Sequence, residues 1–294
     1  MKLPNFMCLG AAKSGTTSLY DILIQHPEIY IPQFKEPHFF DVSENFANGL
    51  EWYKKNYFQK ANQKIIADFT PSYFFDSNAP KRIFDSLGPK MKFLVILRNP
   101  VDRAYSHYLH SKRDFHESND FLEALASEEI RIKKYIKKSD YFSYLRHSYV
   151  NQGLYSKMLD RYLKYYSLDK FLFINFEDEF VKEKDATIKK ILSFLNVDES
   201  ITLNTNFKSN VASKAISKRL KKIMKNKSWF RKIIKYLIPS FTIRQILRNK
   251  IHKLNNTSFQ PKELSDDSKF RILAKYFKKD IVNLETILNK DMNW

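Results

Sequence analysis

"FMCLGAAKSGTTSLYDIL", residues 6–23, runs from a short apolar stretch through a glycine-bearing turn into a pattern of helical spacing. Gly10 and Gly15 keep the interval of the phosphate-gripping loop G-x-x-x-x-G-K-[ST]. However, Thr16 and Thr17 follow the second glycine, and the only lysine, Lys13, lies inside the turn. Backbone N–H groups of such a turn, with the helix N-terminus after it, form an anion site that depends little on side chains. Lys13, Ser14, Thr16, Thr17 and Ser18 add one cation and four hydroxyls. A nucleotide 5′-phosphate is the natural guest.

Outward from this unit the same strand-and-helix alternation repeats. The spacing predicts a strand over 6–12 and a helix from Thr16 to His26, where Pro27 stops it. "KIIADFTPSYF" (64–74) reads as a strand ending near Asp68, "KFLVILRNP" (92–100) as a buried strand, and "KFLFINFED" (170–178) as another of the same type. Continuous apolar strands between helical stretches indicate an α/β fold. The expected form is a P-loop-like three-layer α/β/α arrangement around a mainly parallel sheet of four or five strands. Residues 101–166 are mostly helical by pattern, with an amphipathic helix at 153–166. A closing helix at 266–288 is capped by Asp or Ser.

The 294 residues suit one domain, 1–294, and the sequence shows no internal repeat. Cys8 is the sole cysteine, which rules out an internal disulfide and a thiolate metal cage and fits a reducing compartment. No run approaches the ~18 apolar residues of a membrane span. The net charge of +19 is local: residues 200–262 hold 16 Lys and Arg and no Asp or Glu, leaving 35 basic against 32 acidic residues elsewhere. This basic, mainly helical insertion at about 214–262 has three readings: a solvated face, a groove for an acidic glycan, or a membrane-surface anchor. In the last, Trp229, Phe230, Ile233, Ile234 and Leu237 of the 214–254 segment would dip into lipid.

A nucleotide hydrolase needs magnesium, held in part by an acid at the end of a neighbouring strand. Here the strand FLVIL ends in Arg98, which repels a metal and forks onto a phosphate or carboxylate. Ser106, eight residues on, lies on the helix opened by Pro100 and Asp102, in place to donate to the same anion. Two phosphate sites without a metal acid describe 3′-phosphoadenosine 5′-phosphosulfate (PAPS). The stretches "GAAKSGTTSL", "KEPHFFD" and "LRNPVDRAYSHY", with the C-terminal "YFKKDIVNLETILNKDMNW", resemble the PAPS-dependent sulfotransferase superfamily. The likeness is to its carbohydrate branch, which includes the heparan sulfate sulfotransferases, and to bacterial-type members.

That resemblance implies an EC 2.8.2-type transferase moving a sulfuryl group from PAPS to a hydroxyl, or secondarily an amine, of a saccharide, glycolipid or related acceptor. Lys13, Ser14, Gly15, Thr16, Thr17 and Ser18 would bind the 5′-phosphosulfate, with Lys13 near the bridging oxygen, and Arg98 and Ser106 the 3′-phosphate. Glu36 matches the catalytic base and His38 a histidine lining the transfer site. Adenosine 3′,5′-bisphosphate would be the product, and no metal is expected. The sequence departs from the pattern at "DFTPSY", where Phe69 stands in place of a lysine; Lys35 or His38 compensates, or the acceptor is less anionic there. Asp68 either caps the turn at Thr70 or touches the acceptor. Tyr155 reads as core, and His107 and His110 as packed or polar-face residues rather than metal ligands. The segment from Asn210 to Lys214 is a candidate to close over the adenosine. The runner-up function is a P-loop nucleotide or small-molecule kinase, and a third reading takes the basic segment alone as a polyanion-binding module. Neither nucleic acid nor an obligate protein partner is inferred. Because the chain reaches its first strand almost at once, a cytoplasmic bacterial enzyme is expected, with peripheral contact at the inner membrane face as an extension.

Overall fold

The structure, a computed structural model, describes residues 2–206 and 262–294, together with the backbone of two short antiparallel strands, Ser213–Ala215 and Asn256–Ser258. The segment expected to be a basic insertion, the five residues that one reading dips into lipid, and the segment expected to close over the adenosine otherwise lie outside the described residues.

Five parallel strands form the central sheet: β1 (Phe6–Gly10), β2 (Ile29–Tyr30), β3 (Ile65–Phe69), β4 (Lys92–Leu97) and β5 (Phe171–Asn175). Their spatial order is β2-β3-β1-β4-β5. Strand alternation divides the apolar runs between two cores. Met7 and Leu9 of β1, with Phe93, Val95 and Leu97 of β4, face the helices Ala79–Leu87, Tyr155–Leu163 and Lys278–Leu288. Phe6, Cys8, Leu94 and Ile96 face the other way, onto Thr16–Leu23 and Lys184–Leu195. Every residue of β1 is buried because both faces are covered. The expected three-layer α/β/α fold is therefore present.

The chain leaves β1 to build one side of the sheet with β2 and β3 and returns to build the other with β4 and β5. That makes the carboxyl end of β1 the switch point at which open α/β sheets bind ligands. The glycine-bearing turn stands there.

Several boundaries differ from the sequence reading for local reasons. The first helix ends at Leu23 rather than His26, because Gln25 and His26 donate to Ile22 and Leu23 and tighten the last turn. β5 stops at Asn175, whose side chain accepts the N–H groups of Glu177 and Asp178 and starts a wide helical turn over Phe176–Lys182. The closing helix is capped by Ser265 and interrupted by a similar turn at Leu273–Phe277. The two-residue β2 is too short to leave a pattern in the sequence. Among the described residues, no helix is long and apolar enough to cross a membrane.

Phe93 of β4 is fully buried, with ring centroids 4.7 Å from Tyr166 and 4.9 Å from Phe171. Phe93→Ala should cost ~3–5 kcal/mol of stability, measured by urea unfolding at constant m-value. A loss below ~1 kcal/mol would show that this layer repacks freely.

Candidate active site

At the end of β1 the chain enters the turn through two left-handed residues, Lys13 (φ 73°) and Gly15 (φ 82°), the second being the N-cap of the helix Thr16–Leu23. A Cβ on Gly15 would lie 2.8 Å from Phe180 and 2.9 Å from Phe176. The missing side chain therefore lets an aromatic wall from the segment after β5 close directly on the turn. Lys13, Gly15, Ser18, Arg98 and Ser106 line a cleft of about 220 Å³. Phe176, Phe180 and Lys184, none of them singled out from sequence, complete it. Two polar atoms here are buried without a hydrogen-bond partner, Ser14 Oγ and Arg98 Nε. Leaving such groups without a hydrogen bond is costly, so anions accepting from them would remove a penalty present in the free chain.

Arg98 ties the second strand end to the turn: its Nη1 donates to the Lys13 carbonyl at 3.0 Å. Its guanidinium lies over the Phe176 ring, 4.9 Å from the centroid, and its Nε is 3.8 Å from Glu177. Tyr155 donates to the Arg98 carbonyl at 2.8 Å from a fully buried position, so it is a core residue that steadies the arginine from below. The helix Pro100–Arg113, which carries Ser106, is capped by Asn99 rather than Asp102.

The segment 35–41 forms the opposite side. Lys35 Nζ donates to Thr16 Oγ1 (3.2 Å) and Thr17 Oγ1 (3.0 Å). Glu36 (φ 63°) and His38 (φ 50°) both take the left-handed conformation that non-glycine residues adopt at a cost. His38 Nδ1 donates to Asp41 Oδ2 at 2.8 Å, and its Nε2 faces Glu36 at 3.6 Å. Ser72 and Tyr141 also donate to Asp41 Oδ2, fixing the carboxylate that fixes the imidazole. Although burial opposes a charged ring, the bonds to Asp41 and Glu36 outweigh it and push the His38 pKa up to about 10. The Glu36 side chain remains 44% exposed. Packing around it favours the neutral form, but the contact with His38 and the charges of Lys35 and Lys13 win and hold it below the usual carboxylate range. Burial, then the charges of Arg113 and Arg98, lower Lys13 to about 8. An anion would reverse that effect.

Thus the structure brings Lys13, Lys35, Glu36 and His38 together beside the cleft that holds Arg98 and Ser106. Asp68 is elsewhere. It is fully buried, accepts from Tyr53, Thr70 and Tyr73, and burial pushes it up to about 6. Tyr73 in turn accepts from the Phe39 N–H at 2.9 Å, so Asp68 supports the 35–41 segment from inside the core. Of the two readings of Asp68, the contact with Thr70 is the one observed, through the Thr70 hydroxyl. Phe69 is 1% exposed and packs edge-on against Phe6 and Tyr20, away from the cleft. His107 is buried against Tyr149, and His110 is pushed down to about 3 by burial and by the Lys13 and Arg113 charges. Asp41 closes the quoted "KEPHFFD" three residues after His38, a spacing that could have flagged it; Tyr141, one hundred residues away, left no such signal.

A family model described as "Sulfotransferase domain" matches residues 3–262. Mouse heparan sulfate glucosamine 3-O-sulfotransferase 5 is 29% identical over 212 residues, 68% of this chain and 56% of that protein. Human heparan sulfate glucosamine 3-O-sulfotransferase 6 is 31% identical over 201 residues, 68% of this chain and 54% of that protein. The chain thus spans about half the length of these curated relatives. A sulfotransferase from Alicyclobacillus acidocaldarius superposes with a TM-score of 0.71 at 26% identity, covering 99% of this chain and 98% of that one. These comparisons do not favour the kinase alternative.

The raised His38 pKa stabilises the fold fully below its ordinary value of 6.5, and that stabilisation is lost as pH rises through about 10. Asp41→Asn should bring the ring titration, followed by NMR, down toward 6.5. The stability gap between parent and variant should be widest in acid and close in alkali. A titration left unmoved by Asp41→Asn would mean that Asp41 is not what keeps the ring charged.

Proposed function

The chain belongs to the sulfotransferase domain family, and from that membership we propose that it transfers a sulfuryl group from PAPS to a hydroxyl of a saccharide. The observation that carries this reading is one cleft in which the Lys13–Ser18 turn and the Arg98–Ser106 pair offer two anion sites, each with a buried donor that makes no hydrogen bond. The donor set fits a nucleotide phosphorylated at both ends. Cationic and N–H groups suit the two phosphates, and Phe176 and Phe180 give a flat wall beside them.

PAPS, when bound, supplies an activated sulfuryl group on its 5′-phosphate. Lys13 and the first-turn N–H groups would hold that phosphate and stabilise the charge it gains as the sulfuryl leaves. Arg98 and Ser106 would hold the 3′-phosphate. Glu36, ionised and accessible, would take the acceptor proton, with His38 as an imidazolium that orients the carboxylate. An acceptor would approach along the exposed side of Glu36, where Phe142 (50% exposed) stands edge-on to His38 with centroids 5.7 Å apart. The saccharide class is supported by relatives that act on heparan sulfate. A single domain is supported by ties from the C-terminal residues to the sheet layers, Asn175 to Met292 and Ser156 to Asp280. The lone, buried Cys8 suits a cytoplasmic location.

Adenosine 3′,5′-bisphosphate should stabilise the chain without magnesium, by about 2.7 kcal/mol at a hundred times its Kd. ATP with magnesium should do little, and the reverse ranking would favour a kinase. Glu36→Gln should lower transfer by about 10²–10⁴-fold while keeping bisphosphate affinity. Lys13→Ala should weaken both. Turnover of Glu36→Gln near the parent rate would refute the base assignment.

A further inference from the structure

Lys35 belongs to neither the glycine-bearing motif nor the strand-end arginine, yet its ammonium is built into the turn. It is half-buried, and the two groups that accept from it, Thr16 Oγ1 and Thr17 Oγ1, are neutral hydroxyls at the start of the helix that faces the cleft. Burial makes its charged form harder to keep, against the attraction of Glu36, Cys8 and Asp21. A cation held on neutral acceptors in a partly desolvated place gains more from an arriving anion than one already paired with a carboxylate.

The segment that carries Lys35 is pinned on both flanks. Tyr20 donates to the carbonyls of Pro32 (3.0 Å) and Gln33 (3.3 Å), and the Phe39 N–H donates to Tyr73. The Tyr20 ring itself rests edge-on against Phe69, with centroids 5.9 Å apart. Phe69 therefore supplies no charge to the site but supports the ring that holds the Lys35 segment against the turn. Lys13 sits within the same turn, and Glu36 is the next residue in the chain, with its carboxylate under the influence of both lysines.

We infer that Lys35 is a second transfer-site cation, which leaves Thr16 and Thr17 for the non-bridging oxygens of the bound sulfuryl group and follows them to the acceptor. The inference rests on the PAPS reading above and names a residue that the reading does not need. In the step it assists, the bond between sulfur and the 5′-phosphate oxygen breaks and a bond between sulfur and the acceptor oxygen forms. The acceptor proton passes to Glu36, and Lys35 keeps its own proton throughout. Thr16 and Thr17, which only accept from Lys35, keep their hydroxyl protons to donate to the 5′-phosphate.

The test compares equilibrium affinities for PAPS and for adenosine 3′,5′-bisphosphate, which lacks the sulfuryl group, in the parent chain, Lys35→Met and Lys35→Arg. Single-turnover transfer is measured beside them. Lys35→Met should weaken PAPS about tenfold or more while bisphosphate affinity stays within about threefold, since one charge-assisted contact to the sulfuryl is lost. Transfer should slow by about 10²-fold, the usual loss for one donor at a site of developing charge. Lys35→Arg should restore most of the PAPS preference. Equal weakening of both nucleotides, the result of a lysine that only staples the turn, would overturn the inference, as would parental transfer in Lys35→Met. Failure of the parent itself to bind the bisphosphate would instead sink the PAPS reading. Should Lys35→Met melt below the assay temperature, Lys35→Gln is judged by the same affinity ratio.

Discussion

The bond from Arg98 Nη1 to the carbonyl of Lys13 joins the ends of two neighbouring strands across the mouth of the sheet. Everything chemical in the molecule is arranged around it. It ties the turn of one anion site to the arginine of the other, the Lys13 charge acts on Glu36, and Arg98 Nε makes no hydrogen bond. Four cationic groups, Lys13, Lys35, Arg98 and His38, gather near it, while the nearby carboxylates only partly offset them. Such a concentration of like charge weakens the free chain and favours an anionic guest.

The opposing force is supplied by covered carboxylates at one remove. Asp41 keeps His38 charged, Glu177 faces Arg98, and Asp68 acts wholly through hydroxyls to steady the backbone at Phe39. Asp68 and Asp41 thus have different duties although both are buried beside Tyr73 or Ser72. Bonds surround two of the three left-handed residues, Lys13, Glu36 and His38: the Lys13 carbonyl accepts from Arg98 and the His38 ring donates to Asp41.

Much of this could be read in the sequence, for reasons that particular residues explain. The Gly10–Gly15 interval, the strand ending in Arg98 and the serine eight residues later are local features, and their joint placement follows from parallel strands meeting at one edge. Glu36 and His38 came from resemblance, since a Glu before a proline carries no mark of its own. What stayed hidden was tertiary. The Phe176 and Phe180 wall, Tyr141 on Asp41 and Lys35 on two threonines depend on segments far apart in the chain. Phe69 shows the same limit from the other side: its identity suggested a missing cation, but its direction into the core could not be known from the strand alone.

Contact between Gly15 and the two phenyl rings has an evolutionary corollary. Enlarging position 15 demands that both 176 and 180 shrink or shift, and keeping either ring demands that position 15 stay bare. These three sites should drift as a group in any lineage of this protein, so that the segment after the first strand and the segment after the last strand of the central sheet carry a shared historical record.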